Sequence, residues 1–220
     1  MTNLNQLILS FDFEQNFKNL DFYVSKSNVH VFNLIENWSK HHEKFLNIIG
    51  EKFSGKSHLV NIFFEKNKGL KISSQNLNDD LLKKTKMYEN IILEDLSSNI
   101  NEKLLYSLIN LVDSENKRLI ITTQIPIVDI DFNLLDLKSR SKNFYLSKIE
   151  TPDDELMFAL ILKNLSDRQI SIDKKLIDYI IKRIDRSYSN ISDFIYKIDQ
   201  ISLKKKRSID FKIIKEALGD

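Results

Sequence analysis

Residues 45–59 read FLNIIGEKFSGKSHL, and this stretch joins a short apolar run to a phosphate-binding pattern. The pattern G-x-x-x-x-G-K-[ST] occupies residues 50–57, after the apolar run and before a stretch of helical periodicity. In such a loop, backbone N–H groups surround a phosphate, and the N-terminus of the following helix adds partial positive charge. The stretch therefore predicts a P-loop between a β-strand and an α-helix, and with it a nucleotide-binding α/β domain.

The residues of this loop have separate predicted tasks. Lys56 is expected to reach the β- and γ-phosphates of ADP or ATP, and the Ser57 hydroxyl is expected to hold Mg²⁺. Glycines at positions 50 and 55 allow a tight turn and a close approach of the backbone to the ligand. Two of only four glycines in the chain stand here, which strengthens the prediction. The predicted nucleotide contacts are Gly50, Glu51, Lys52, Phe53, Ser54, Gly55, Lys56, Ser57 and His58.

The composition of the chain excludes several classes of protein. Apolar residues make up 42%, with only four glycines and two prolines, which rules out collagen-like and disordered chains. The absence of cysteine excludes disulfide scaffolds and thiol catalysis. No apolar run approaches about 18 residues, no secretion signal is recognisable, and a net charge of +2 gives no argument for nucleic-acid binding. We expect a cytoplasmic protein with no membrane partner.

Five short apolar runs alternate with helix-period segments in the first two thirds of the chain. Nearly continuous apolar runs are typical of strands that are buried on both faces of a parallel sheet. We therefore predict an α/β fold with a five-stranded parallel sheet and right-handed crossovers. The predicted strands lie at 45–50, 70–73, 90–95, 118–124 and 143–149.

The pattern changes after residue 150. Thr151 is predicted to cap a helix that has Pro152 at its first position and acids in its first turn. Four helix-period segments follow, and the basic run 204–207 is interpreted as a solvated loop between the last two. These features predict three parts: an N-terminal arm at 1–20, a nucleotide-binding α/β domain at 21–150 and an all-helical lid at 151–220.

Two strand ends after the P-loop carry polar residues that suit nucleotide chemistry. Glu94 and Asp95 end the third predicted strand, and one is expected to serve Mg²⁺ while the other faces the attacking water. The choice between them stays open, as does the simpler interpretation of two solvated acids. Thr123 and Gln124 end the next strand, where ligands bind in open α/β sheets, and are predicted to position water against the γ-phosphate. The alternative is ordinary strand-end capping before Pro126.

Arg140 ends the motif LKSR, which stands ahead of the fifth predicted strand. Its position along the chain does not assign it to the P-loop. A planar guanidinium matches phosphate oxygens, so Arg140 is a candidate arginine finger that acts in trans on the nucleotide of a neighbouring protein. On spacing alone it is one arginine among many.

The succession of a P-loop, a strand with two acids, TTQIP, LKSR and a helical lid that opens on TPDDE resembles the AAA+ core of the DnaA family. The likeness covers residues 20–218, and residues 22–28 are similar to the segment that frames the adenine. The chain stops where the lid ends, so DNA-binding helices are expected to be absent, as in the Hda family of DnaA regulatory inactivators. QLILSF at 6–11 is similar to the peptide with which those inactivators bind the sliding clamp. Its anchors would be Gln6, Leu7, Leu9 and Phe11.

The resemblance implies a negative regulator of chromosomal replication initiation. The protein would bind the sliding clamp (the β subunit), hold ADP or ATP with Mg²⁺, and offer Arg140 to ATP on DnaA, whose hydrolysis it would stimulate. Its implied partners are DnaA, the clamp and further copies of itself, with DNA contacted only indirectly.

Three positions depart from the family pattern. Glu94 stands where the family usually has aspartate, Gln124 replaces a sensor aspartate, and Ser189 stands where a lid arginine touches phosphate. These departures imply little ATPase activity of the chain itself and leave nucleotide binding intact. An autonomous DnaA-like ATPase and a scaffold that only recruits partners stay open as alternatives.

Overall fold

A computed structural model describes residues 22–219 of the 220-residue chain. The clamp peptide expected at 6–11 lies outside the described residues. The described part contains a five-stranded sheet in the order β2-β3-β4-β1-β5, and all of its neighbouring strands are parallel. This confirms the predicted α/β fold with its five-stranded parallel sheet. The strands are β1 (Phe45–Ile49), β2 (Gly69–Ser73), β3 (Asn90–Leu96), β4 (Arg118–Thr123) and β5 (Tyr145–Lys148).

Helices cover both faces of this sheet. Strand β1 is buried at all five positions, as a strand covered on both sides must be. Three of its residues belong to two apolar clusters: Phe45 lies in one with Leu105, Leu108 and Leu137, while Leu46 and Ile48 lie in the other with Val31, Leu59 and Val60. The helices of this part are α1 (Val29–Asn37), α2 (Lys56–Lys66), α3 (Asp79–Thr85), α4 (Glu102–Ser114) and α5 (Leu135–Ser141).

After residue 150 the described chain forms four helices, as the periodicity predicted. Their apolar sides meet in a separate cluster, in which Met157, Ile177, Ile195 and Ile214 are each almost completely buried. The prediction of a domain boundary near residue 150 stays a prediction. The helices are α6 (Asp154–Asp167), α7 (Lys174–Ile181), α8 (Tyr188–Lys205) and α9 (Phe211–Leu218).

Two local predictions in this part need correction. The cap of α6 is Asp153, whose side chain accepts from the Leu156 N–H at 2.8 Å, and not Thr151. A carboxylate is a strong acceptor at the positive end of a helix, so the helix begins two residues later than predicted. The basic run also lies partly inside α8, because Lys204 and Lys205 form its last turn, where positive charge is favourable.

Within residues 22–219, every helix is too short or too polar to pass through a lipid bilayer.

Candidate nucleotide-binding site

A cavity of about 630 Å³ lies between the P-loop and the helices α6 and α8. This volume falls within the usual range of small-ligand sites. Seven of the nine predicted nucleotide contacts line it, and Gly50 and Glu51 are not among the lining residues. On the loop side the cavity is lined by Lys52, Phe53, Ser54, Gly55, Lys56, Ser57 and His58. On the side of α6 and α8 it is lined by Leu156, Ala159, Leu160, Lys163, Asn164, Asp167, Tyr188, Ile191 and Ser192.

The backbone of the P-loop takes a conformation that depends on its glycines. Gly55 has φ +91°, and a Cβ there would also stand 3.1 Å from Phe22 Cε2. A Cβ on Gly50 would come within 2.5 Å of Ser54 Oγ, so this position cannot carry a side chain without rearrangement. The Ser54 hydroxyl is itself one of four buried side-chain polar atoms, among the described residues, that have no hydrogen-bond partner. An unsatisfied hydroxyl inside the loop fits a loop that a polar ligand completes.

Lys56 is the buried cation of the site. Its side chain is only 7% exposed, and Nζ donates to the carbonyl oxygens of Gly50 and Glu51, each at 2.8 Å. Burial lowers the pKa of Lys56, and the nearby charges of Asp95 and Glu51 offset part of this effect. A buried ammonium that is held by carbonyl dipoles gains from an anionic ligand, since a full negative charge compensates its burial better than dipoles do. These residues therefore fit a bound phosphate.

Asp95 and Ser57 supply oxygen atoms to the same cavity. Asp95 has φ +55°, and its N–H donates to Thr122 Oγ1 at 2.9 Å. The pairing of β3 with β4 shifts register between Leu93 and Leu96, and this bulge turns Asp95 towards the cavity. A hydroxyl and a carboxylate are ligands that suit Mg²⁺, which binds to few protein groups and keeps several waters. The residues present thus fit a magnesium ion bound together with phosphates.

Glu94 and Thr123 were predicted at the site, but they face elsewhere. Glu94 forms an ion pair with Lys71 of β2, at 3.4 Å between Nζ and Oε2. Thr123 is 1% exposed, and its hydroxyl accepts from Asn47 Nδ2 at 2.8 Å, which ties β4 to β1. Gln124, by contrast, lines the cavity. The bulge in β3 turns Asp95 and not Glu94 towards the cavity, and Gln124 follows the last residue of β4, so only one member of each predicted pair lines the cavity.

Residues 22–28 form another side of the cavity, which is lined there by Phe22, Tyr23 and Asn28. Asn28 shapes this segment: its Nδ2 donates to the Tyr23 carbonyl at 2.9 Å, and its Oδ1 accepts from the Ser25 N–H at 2.8 Å. The Tyr23 hydroxyl donates to Glu155 at 2.5 Å, which joins the segment to α6. The segment that resembles the adenine-framing segment of the DnaA family therefore lies at the cavity.

Sequence reasoning missed the polar face that α6 presents to the cavity. Lys163, Asn164 and Asp167 all line it. Their spacing of one and four residues places them on one side of a helix. This spacing is the sequence pattern from which their shared face could have been predicted. The contact between Glu51 and the start of α8 was also missed, because no local pattern links residues that lie 136 positions apart.

Arg140 lies far from this cavity, on α5. Its Nη1 pairs with Asp113 Oδ2 at 3.0 Å, and Asp113 Oδ1 pairs with Lys44 Nζ at 3.4 Å. Lys44 directly precedes β1, whereas Gly50 directly follows it. A five-residue strand spans roughly 16 Å, so Arg140 and the P-loop occupy opposite ends of β1.

The five-stranded parallel sheet, the P-loop and the four helices α6 to α9 together define the fold of the described residues. Three comparisons make the assignment more specific. The chain superposes on domain III of the replication initiation protein DnaA from Thermotoga maritima with a TM-score of 0.74 and 18% identity, covering 93% of this chain and 96% of that one. It superposes on AMPPCP-bound DnaA from Aquifex aeolicus with a TM-score of 0.64 and 17% identity, covering 83% of this chain and 65% of that one.

In sequence, the chain is 23% identical over 189 residues to the chromosomal replication initiator protein DnaA of Caldanaerobacter subterraneus subsp. tengcongensis. The match covers 76% of this chain and 43% of that protein, so the chain spans less than half the length of this relative. No protein-family model matches the sequence. The chain has the fold of DnaA domain III.

Proposed function

We propose that this protein binds ADP or ATP and acts as a negative regulator of chromosomal replication initiation, by stimulating the ATPase of DnaA with Arg140. The observation that carries the proposal is the position of Arg140 at the end of β1 opposite to the P-loop. Because Arg140 cannot reach the cavity of its own chain, any nucleotide that it serves belongs to another molecule. The DnaA-like fold makes DnaA the preferred partner.

The protein's own nucleotide is held by the P-loop. On binding, Lys56 exchanges the carbonyls of Gly50 and Glu51 for phosphate oxygens, and the first amides of α2 face the same anion. Ser57 and Asp95 would hold Mg²⁺, which neutralises phosphate charge when bound. That a DnaA with this fold binds AMPPCP, an ATP analogue, supports this part of the proposal.

Hydrolysis by the protein itself is expected to be slow. Glu94, one of the two candidate acids, pairs with Lys71 and not with groups at the cavity. The start of α8 offers Ser189, which has no positive charge to place against phosphate. Among residues 22–219, Lys56 and Ser57 are in place to bind a nucleotide, whereas Glu94 is paired away from the cavity and position 189 carries no cation.

Arg140 is accessible to a partner. Its side chain is 37% exposed, and its pairing with Asp113 is a surface ion pair that a phosphate can replace at little cost. The guanidinium would supply planar, charge-assisted hydrogen bonds to the phosphate oxygens of ATP on DnaA. An arginine finger of this kind contributes about 10³–10⁵ in rate.

The clamp peptide remains a prediction. QLILSF at 6–11 would enter a groove on the sliding clamp as an extended segment, with Gln6 as polar anchor and Leu7, Leu9 and Phe11 as apolar contacts. Such binding would bring the protein to replicating DNA in the cytoplasm without a DNA contact of its own.

The test is ATP hydrolysis by DnaA in the presence of clamp-loaded DNA. The wild-type protein should stimulate it, and Arg140→Ala should lower the stimulation at least about 100-fold. Arg207→Ala is the matched control, because Arg207 is also a surface arginine that pairs with an aspartate, Asp210, at 3.2 Å. The double change of Gln6 and Leu7 to alanine should abolish the dependence on the clamp.

Two results would overturn the proposal. Stimulation that survives Arg140→Ala removes the role of this arginine, and an equal loss with Arg207→Ala shows that surface charge alone is responsible. Clamp binding that persists after deletion of residues 1–12 removes the role of the peptide.

A second candidate, an autonomous ATPase, is favoured by one observation: Asp95 and Gln124 line the same cavity as Lys56. Turnover of ATP by the isolated protein, at a rate that DnaA and the clamp leave unchanged, would support this candidate over the regulator.

A further inference from the structure

Glu51, the second residue of the P-loop, turns its carboxylate away from the cavity and towards the first turn of α8. Oε1 accepts from the Ser187 hydroxyl and from the Ser189 N–H, the latter at 3.3 Å. Oε2 accepts from the Tyr188 N–H at 3.0 Å. Ser187 is the residue that caps α8, so Glu51 binds the cap and the first two amides of the helix together.

The contact suits a carboxylate. The N-terminus of an α-helix carries partial positive charge and unpaired N–H groups, which a negative side chain stabilises. Burial raises the pKa of Glu51, but the hydrogen bonds from Ser187, Ser189 and Tyr188 lower it by more, so that the net pKa is below its ordinary value. The charged form is the one that holds the helix.

The same helix forms part of the cavity wall. Tyr188, Ile191 and Ser192 of α8 line the cavity opposite the P-loop. On the loop side, the backbone carbonyl of Glu51 accepts from Lys56 Nζ. One residue thus contacts the phosphate-binding lysine through its backbone and the lid through its side chain.

We propose that Glu51 is a positioning residue that fixes helix α8 of the lid on the P-loop and thereby sets the lid-side wall of the nucleotide cavity. The contact makes the position of α8 depend on the conformation of the P-loop. The proposal rests on nucleotide binding at this cavity, and it predicts that Glu51 serves the nucleoside part of the ligand more than the phosphates.

The test uses the full chain and two probes, ADP with Mg²⁺ and inorganic pyrophosphate as a competitor of ADP. Glu51→Ala should weaken ADP binding about tenfold and change pyrophosphate binding by less than about twofold, because pyrophosphate needs only the loop. Glu51→Gln, which keeps an acceptor oxygen but loses the charge, should recover part of the ADP affinity. Glu36→Ala is the control, since Glu36 is a glutamate of α1 that pairs with Lys66 of α2.

A double-mutant cycle identifies the partner. Ser187→Ala should weaken ADP binding by about three- to fivefold, and the double variant with Glu51→Ala should bind ADP no more weakly than Glu51→Ala alone. Independent effects of the two changes would overturn the proposed contact.

Hydrogen exchange measured without nucleotide gives a readout that does not depend on the ligand. The amides of residues 188–190 should lose protection in Glu51→Ala and keep it in Glu36→Ala. Unchanged protection would overturn the inference, and so would equal losses of ADP and pyrophosphate binding, which would mean that Glu51 only shapes the loop. Failure of the wild type to bind ADP would instead overturn the proposed function. If Glu51→Ala does not fold, ligand binding and hydrogen exchange are both measured on Glu51→Gln.

Discussion

The two ends of the central strand β1 are built in different ways. At its carboxyl end, the cavity depends on unusual backbone conformations: Phe53, Gly55 and Asp95 all have φ between +55° and +91°. At its amino end, Lys44, Asp113 and Arg140 form a chain of charges on ordinary backbone. At the first site Lys56 is only 7% exposed, whereas the three charged side chains of the second site are between one third and two fifths exposed.

This difference explains why the site at the carboxyl end of β1 can be predicted from a local sequence pattern, whereas the site at the amino end cannot. A site made of backbone conformations requires glycines at fixed positions, so it leaves a local pattern such as residues 50–57. A site made of side-chain charges on regular helices requires no special residue nearby. Arg140 was therefore singled out only by resemblance to a family, and Asp113 was not singled out at all.

The largest expected effect is at the cavity end. Lys56→Ala should weaken ADP binding about 100-fold or more, because the phosphates lose a buried charge and its hydrogen bonds. Isothermal titration calorimetry measures the affinity. Arg140→Ala is the control and should leave it within about twofold; an equal loss in both variants would mean that the two ends are not separate sites.

A substitution that strains the backbone of the P-loop should lower the free energy of unfolding. Gly55→Ala is expected to destabilise the fold by about 2 kcal/mol, because φ is +91° and the new Cβ lies 3.1 Å from Phe22 Cε2. Gly219→Ala is a matched control with φ +89° and no atom within 4 Å, and should cost about 1 kcal/mol. Urea unfolding compares the two. Equal losses would show that Phe22 moves aside freely.

Acid should loosen the contact between the loop and the lid. The pKa of Glu51 is lowered, and so is that of Asp153, whose burial raises it less than hydrogen bonds from Leu156 and Ser27 lower it. A group with a lowered folded-state pKa contributes stability that is present above its unfolded value and is lost as the pH falls through the folded value.

The melting temperature should therefore fall by at least a few degrees between about pH 6 and about pH 3, and Glu51→Gln should make the fall shallower. A pH profile that Glu51→Gln leaves unchanged would contradict this account.

The smallest effect is expected at the arginine end. Asp113→Asn should lower the stimulation of DnaA by about two- to fivefold, because the ion pair helps to orient the guanidinium, and should change stability by less than about 1 kcal/mol. Asp80→Asn, which breaks an exposed pair with Lys83 on α3, is the control. An increase in stimulation would show that Asp113 competes with the partner for Arg140.

The fold was largely predictable. All five strands lie where the apolar runs predicted them, with ends that differ by at most two residues. In the central strands β1, β3 and β4, burial on both faces leaves a nearly continuous apolar run. Asn47 is the exception within β1. Its amide donates to Thr123 Oγ1 and its oxygen accepts from the Ile127 N–H at 2.9 Å, so it joins β1 to the chain after β4. A polar residue inside an apolar strand was the signal for it.

The candidate site was predictable in part. The sequence placed Asp95 and Gln124 at strand ends beside the P-loop, and both line the cavity. The sequence could not show that Glu94 and Thr123 face away from the cavity, because a bulge in β3 and a hydrogen bond between strands decide the direction of each side chain. The bulge depends on the pairing of β3 with β4, and the hydrogen bond depends on the pairing of β4 with β1; in each pair the two strands are far apart along the chain.

By itself, the sequence determined the parallel sheet, the phosphate loop and the four helices that follow, since burial periodicity and backbone freedom are encoded by neighbouring residues. Only the tertiary structure decided that Glu51 holds the start of α8, that Asp95 and not Glu94 faces the cavity, and that Arg140 pairs with Asp113 at the other end of β1. Contacts between groups that lie 27 to 137 positions apart arise from the packing of helices on the sheet, and packing leaves no mark on the local pattern.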